Sequence, residues 1–308
     1  MKKSEILFLY ETSYNIPNGD PFTGEQRYDE ETKKILVSDV RIKRFIRTYL
    51  EDIEGEHIYV SENTGAGKTD SKGVLTWIAQ KWNTNQKTDI AEIMKELIDV
   101  RLFGGISTLD KNMKVGKQEF VNGHVQFTGP VQFAALNPSL NRVNLRMHQN
   151  TSHFTSKDDK AQGAISTTTL VPYSVVQIHG WINPTVAKNT DLKEDDLQKM
   201  FKALWYGTGG EGSSFSRSKV GQNSLLLLVI DYKQDFDKVY GVDRTIKLEP
   251  NEEGMKDEQI RSMEDYTLDF SKLKDLAKND KIEKIRFYTE IDKIKNELNG
   301  EKFEEMSL

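Results

Sequence analysis

Four cations inside seven residues, Arg41, Lys43, Arg44 and Arg47, are the strongest chemical signal in this chain of 308 residues. At 100° per residue, Ile42, Phe45, Ile46, Tyr49 and Leu50 fall on one arc of a helix. The cations fill most of the opposite arc, and Ser38 stands where an N-cap belongs. Like charges at i,i+3 and i,i+4 repel, and no acid lies among them, so an external polyanion would relieve the cost. Taken alone, such a run is often an ordinary solvated helix face. Its surroundings favour a phosphate ligand.

Two further segments carry cations without regular structure. Gly207–Gly221 is rich in glycine and serine, holds Gly209, Gly210, Arg217 and Lys219, and suits close approach of backbone amides to an anion. Asn141–Pro172 is a long polar excursion carrying Arg142, Arg146, Lys157 and Lys160, the length of connection that is functional or disordered. Glu62–Thr69 imitates a phosphate-binding loop through Gly67-Lys68-Thr69, but Glu62 stands where its first glycine is required. The five histidines show no metal-ligand spacing. Asp20, Asp29, Asp39, Asp158 and Asp159 read as solvated loop carboxylates rather than magnesium ligands. No arrangement suggests covalent catalysis, so the expectation is a non-enzyme without metal or cofactor.

The elements that must position these residues follow from periodicity. Ile6–Tyr10 reads as a buried strand, Asp89–Phe103 as one core helix ended by Gly104-Gly105, and Leu192–Trp205 as a second amphipathic helix. Strands are expected within Glu119–Leu136, at Ser174–Ile182 with one half-wet face, and at Leu225–Ile230. Stripped of insertions the order is β-α-β-β-α-β, an α+β chain of the ferredoxin-like kind used by RNA-recognition modules. The usual RNP1 aromatic pattern is missing, so stacking of RNA across the sheet is not expected. Net charge is −5, yet residues 251–308 hold 16 acids against 11 bases and the rest balances 32 against 32. That acidic tail is expected to avoid nucleic acid or face a protein neighbour. With no cysteine, no long apolar run and no signal-peptide pattern, a soluble cytoplasmic protein is expected.

Four motifs in order, Asn15–Pro21, Leu36–Arg47, Asp99–Gly104 and Gly129–Phe133, resemble the backbone subunits of type I CRISPR Cascade complexes, the Cas-seven family, and most of all the type I-B branch. The similarity spans roughly the first 230 residues. It implies a modified RNA-recognition palm over about 1–250, with a finger and web region near 54–118, a thumb hairpin near 142–172 and an acidic C-terminal extension over 251–308 packed on or continuous with the palm. It implies a scaffold that polymerises along a CRISPR RNA beside copies of itself, joins other Cascade subunits and presents the guide to target DNA. The resemblance places Asn18, Ser38, Arg41, Lys43, Arg44, Arg47, Gly209, Gly210, Arg217 and Lys219 at the guide backbone. It places Gly104 and Gly105 at the start of the web, and Arg142 and Arg146 in the thumb. Thr168, Leu170 and Val171 are its candidates for a wedge that displaces a guide base. The rival expectations are a metal-dependent RNA-cleaving relative using Asp20 or Asp29, and a free-standing RNA-binding regulator.

Overall fold

The structure is a computed structural model that describes residues 1–61, 71–81, 88–109, 112–115, 118–151, 165–213 and 216–308. Its centre is β1 (Ser4–Asn15), on which Ile6, Phe8 and Tyr10 point to one side and Leu7 and Leu9 to the other, all fully buried. A strand apolar on both faces needs cover on both, and the rest of the chain supplies it. In chain order the remaining strands of this sheet are β2 (Val131–Phe133), β3 (Arg146–Thr151), β4 (Ile165–Ile182), β5 (Gln222–Tyr232), β6 (Ile282–Tyr288) and β7 (Phe303–Glu305). Their spatial order is β3-β4-β1-β5-β6-β7, with β2 also paired to β4. All these pairings are antiparallel except β6 with β7, so the sheet is mixed.

One face is covered by α1 (Asp39–Asp52) and α4 (Glu194–Thr208), the two amphipathic helices expected from their spacing. Phe45, Ile46, Tyr49, Phe201, Leu204 and Trp205 close over Phe8, Ile178 and Leu227 in one core. The helices touch at Gly207, where a Cβ would lie 2.9 Å from the Phe45 carbonyl oxygen. The other face is covered by the C-terminal segment, including α5 (Ser271–Ala277). Tyr266, Leu268, Phe270 and Leu273 pack there over Leu7, Leu9, Leu228 and Ile230. The acidic extension, expected to pack on or continue the palm, lays its apolar residues over the sheet, while Glu253, Glu264, Glu297 and Glu301 remain exposed. The face of β4 expected to be half wet is largely closed by the end of β5 and the chain just after it. Gln177 Nε2 donates to the Asp243 carbonyl at 2.6 Å, and Trp181 stacks on Tyr232 with ring centroids 6.1 Å apart.

A third core, built on Leu75, Ile78, Ile93, Met94, Leu97, Val100 and Phe120, lies in the insertion between α1 and β2. Here the single helix expected over Asp89–Phe103 is two, α2 (Ile90–Lys95) and α3 (Ile98–Phe103). Arg101 Nη1 donates to the carbonyls of Lys95 and Glu96, at 3.0 and 2.7 Å, which a continuous helix would have bonded internally. The same guanidinium clasps Asp196 of α4 through Nε and Nη2 at 2.8 and 2.7 Å, tying the insertion to the sheet-covering layer. Among the described residues no helix is long and apolar enough to cross a membrane.

Candidate nucleic-acid interface

Around α1 the cations are divided between two neighbours. Ser38 caps the helix, its Oγ accepting from Arg41 N at 3.4 Å. Asn18 holds that cap in place, its Oδ1 accepting from both the N–H and the hydroxyl of Ser38 at 2.7 and 2.8 Å. Lys43 and Arg47, one turn apart, face α3. Lys43 Nζ pairs with Asp39 at 3.1 Å and Arg47 Nε with Asp99 at 2.9 Å, and both cations stand over the Phe103 ring. The expected absence of acidic relief is thereby corrected. Asp39 supplies it four residues before Lys43, and Asp99 supplies it from a distant segment.

Asp99 is fully buried and also accepts the N–H groups of Tyr59 and Val60 at 2.7 and 3.2 Å. Three donors on one carboxylate make a rigid strut between α1 and the insertion. Among the described residues the Arg47 side chain makes this one hydrogen bond, through Nε.

Arg41 lies on the other flank, toward Lys219 of the glycine-rich segment. That segment runs antiparallel along α1: Ser213 N donates to Asp52 Oδ2 at 2.7 Å, Gly212 passes Thr48, and Lys219 reaches the start of the helix. Lys219, expected at the guide backbone, is 7% exposed, and its Nζ donates to the Ile16 carbonyl. Burial first and the Arg41 charge second pull the Lys219 ammonium down to about 7. Arg41 lies above the Phe45 ring and is brought down to about 10, mainly by burial. Arg44 is the exposed member of the four. The result is a ridge at one end of β1 formed by the Asn15–Asp20 loop, the start of α1 and the segment 216–221. Beside it, Tyr10 and Thr208 carry fully buried hydroxyls, and Gln222 a buried amide, without hydrogen-bond partners among the described residues.

The glycines do different work from one another. Gly104, at φ +78°, and Gly129 sit where two backbones cross, and a Cβ on Gly104 would lie 2.3 Å from the Phe127 carbonyl oxygen. Gly105 packs against Met94 and Tyr59 in the insertion core. Gly209 ends α4 in ordinary helical geometry, and Gly210 turns the chain at φ +124°. Arg217 begins a short 3-10 turn that closes on Lys219.

β3 and the first part of β4 form an antiparallel arm, Arg146 opposite Leu170 and Thr151 opposite Ile165. Arg146 is exposed at its base. Arg142 is exposed farther off, its backbone N–H donating to Asp257 at 3.1 Å. Val171, a wedge candidate, is fully buried in the main core and opposite Asn15 of β1, so it has no surface to offer. Thr168 and Leu170 are half-buried and line a groove with Tyr14 and Ile16. Glu62–Thr69, His153, Lys157, Asp158, Asp159 and Lys160 lie outside the described residues. Asp20 and Asp29 are engaged locally, Asp20 with Arg27 at 3.1 Å and Asp29 with the Thr32 hydroxyl at 2.6 Å. Asp99 and Asp196, both central to the geometry, escaped the sequence reading; Asp99-Val100-Arg101 was visible as a motif, but its partners are not local.

A family model described as CRISPR-associated protein Cas7 matches residues 2–271. The chain belongs to the Cas7 family. A Cas7 protein of Haloferax volcanii is 26% identical over 286 residues, covering 89% of this chain and 82% of that one. A chain of a solved structure described as a CRISPR RNA-guided surveillance complex shares the fold, with TM-score 0.50 and 13% identity over 94% of this chain and 90% of that one. A chain from a complex described as pre-nicking aligns at TM-score 0.49 and 13% identity, over 78% and 80%. As a Cas7-family chain, this one brings its ridge of Asn18, Ser38, Arg41, Arg44 and Lys219 together at a single end of the sheet.

Proposed function

We propose that this Cas7-family chain is the guide-RNA-binding backbone subunit of a type I surveillance complex, nearest the I-B branch, and that it acts as a scaffold without catalysis. The observation that carries the reading is the division of the α1 cations. Asp39, Asp99 and Phe103 orient Lys43 and Arg47 on one flank, the glycine-rich segment borders Arg41 on the other, Arg44 stands exposed, and a sugar-phosphate chain laid along α1 meets them all. Contacts of this kind read phosphate and leave sequence to base pairing, as a guide carrier requires.

The strand order β2-β4-β1-β5, with α1 joining β1 to β2 and α4 joining β4 to β5, supports a ferredoxin-like palm. In this reading the insertion between α1 and β2 is the finger and web, and the β3–β4 arm is the thumb that reaches the next copy on the guide. Other subunits of the complex cap the row of copies, target DNA meets it through the guide, and the assembly works in the cytoplasm.

The test is RNA binding by Lys43→Ala with Arg44→Ala. Affinity falls by a similar factor for unrelated spacers, and the slope of log affinity against log salt shrinks by about 0.7 for each phosphate that the variant no longer neutralises. A weakening confined to particular spacer sequences contradicts the reading.

A further inference from the structure

At the end of β1 away from the α1 ridge, where Tyr232 N donates to the Lys3 carbonyl at 3.0 Å, two aromatic rings stand almost wholly in solvent. Phe236 is 82% and Tyr240 83% exposed, both in the segment 233–244 that follows β5. The segment is pinned. Asp237, itself buried, accepts Gln234 N at 3.0 Å through Oδ2 and returns its own N–H to the Gln234 carbonyl at 3.0 Å. Val239 N donates to the Tyr232 hydroxyl at 3.3 Å, and Lys281 Nζ to the Lys238 carbonyl at 3.3 Å. Arg244 lies over the Tyr240 ring and donates to its hydroxyl at 3.2 Å. Single exposed apolar residues are commonplace, but two large rings on one anchored segment make a contact surface.

Lysines gather at the same place. Lys3 and Lys238 bring their ammonium groups to 5.4 and 5.5 Å from the Trp181 ring centroid, and Trp181 in turn stacks on Tyr232. Lys233 joins Lys281 through a backbone bond of 2.9 Å. Lys274, Lys278, Lys284 and Lys295 of the C-terminal segment each have a carboxylate within 2.8 Å, whereas Lys3, Lys233, Lys238 and Lys281 have no ion pair among the described residues. Asp243 pairs with Arg244 at 3.8 Å, and the exposed Asp235 and Asp280 leave the patch net positive. We infer that this surface is a second nucleic-acid site, taking a single strand other than the one along α1, with Phe236 and Tyr240 as stacking platforms and the four lysines on its phosphates. The inference goes beyond the α1 reading and uses none of its residues; β1, 12 residues long, sets the two sites about 36 Å apart. Every unit of a polynucleotide offers a π-face and a negative charge together, and so matches both parts of the patch. An acidic peptide supplies the charge but leaves the two rings unmatched.

The probe is fluorescein-labelled oligothymidine, added to the full chain purified on unlabelled guide RNA, so that α1 is already filled. Wild type and Phe236→Tyr bind it. Phe236→Ala and Tyr240→Ala each bind about tenfold more weakly at an unchanged melting temperature, since both side chains stand in solvent. Lys3→Ala with Lys238→Ala reduces the slope of log affinity against log salt by about 0.7 for each lysine. Aromatic variants that bind like wild type overturn the inference and leave the α1 reading intact. Displacement of the probe by polyglutamate at equal charge marks a site for an acidic protein and overturns it as well. Protein that retains no guide yet takes up the probe through Phe236 and Tyr240 sinks the α1 reading alone.

Discussion

At the scale of single residues, the cations of α1 differ in what they hold: Arg47 is tied to a buried carboxylate, whereas Arg44 is exposed. Arg47 neutralises a fully buried carboxylate, so Arg47→Ala leaves the Asp99 charge without its cation. Removing one partner of a buried pair costs about 3–5 kcal/mol, and urea unfolding should show a decrease of that order. Arg44 is exposed, and Arg44→Ala should stay within about 0.5 kcal/mol of wild type while still weakening RNA binding. Equal destabilisation by both variants would contradict the division. Lys219 makes a second prediction. Below about pH 7 its ammonium is charged in the folded and unfolded chains alike, and the cost of burying it is fully present. Between about 7 and the ordinary 10.5 the unfolded chain keeps a proton that the folded chain releases, so stability rises with pH across that window. Lys219→Met should therefore raise the melting temperature most near or below pH 7, with the gain shrinking steadily toward pH 10. A constant gain would mean that the ammonium is not held in this way. The residue types were legible from the start, since cation spacing and the Ser38 cap are local properties. The pairing of Arg47 with Asp99 was not, because it joins segments brought together by packing alone.

At the scale of elements, the two helices over the sheet meet through a contact only glycine permits. Gly207→Ala would place a Cβ 2.9 Å from the Phe45 carbonyl oxygen and 3.2 Å from Tyr49 Cβ, prising α4 from α1. Overpacking of this kind costs about 1–3 kcal/mol. Because the glycine-rich segment continues directly from this point, RNA affinity should fall along with stability. A variant as stable as wild type would show that the helices can part freely. Elements with a strong apolar period, α1, α4 and β5, were readable in advance. The break between α2 and α3 was hidden because Leu97 keeps the helical apolar spacing while Arg101 takes up the carbonyls at the break. The length of β4 was hidden as well, since its first residues, 165–170, leave the core to build the arm and lack the alternation that marks a half-buried strand.

At the scale of the whole molecule, both faces of the central sheet are covered. α1 and α4 close one side, and the C-terminal segment closes the other with Tyr266, Leu268, Phe270 and Leu273. An extension packed on or continuous with the palm was legible, but which face it covers was not, because its apolar residues are scattered among many charges and short elements. In the proposed reading the strand of nucleic acid therefore runs past the end of the sheet, across the α1 ridge and the base of the arm, rather than over the sheet itself. In the proposed reading contacts there are to the backbone, so each copy would occupy a fixed length of guide whatever its letters. The most direct test is to assemble the protein on guides of increasing spacer length, count the bound copies by mass and digest with ribonuclease. The account predicts that copy number rises in proportion to spacer length and that protected guide lengthens in equal steps, for unrelated spacers alike. A single copy at every length, or a guide digested as fast as naked RNA, would contradict it.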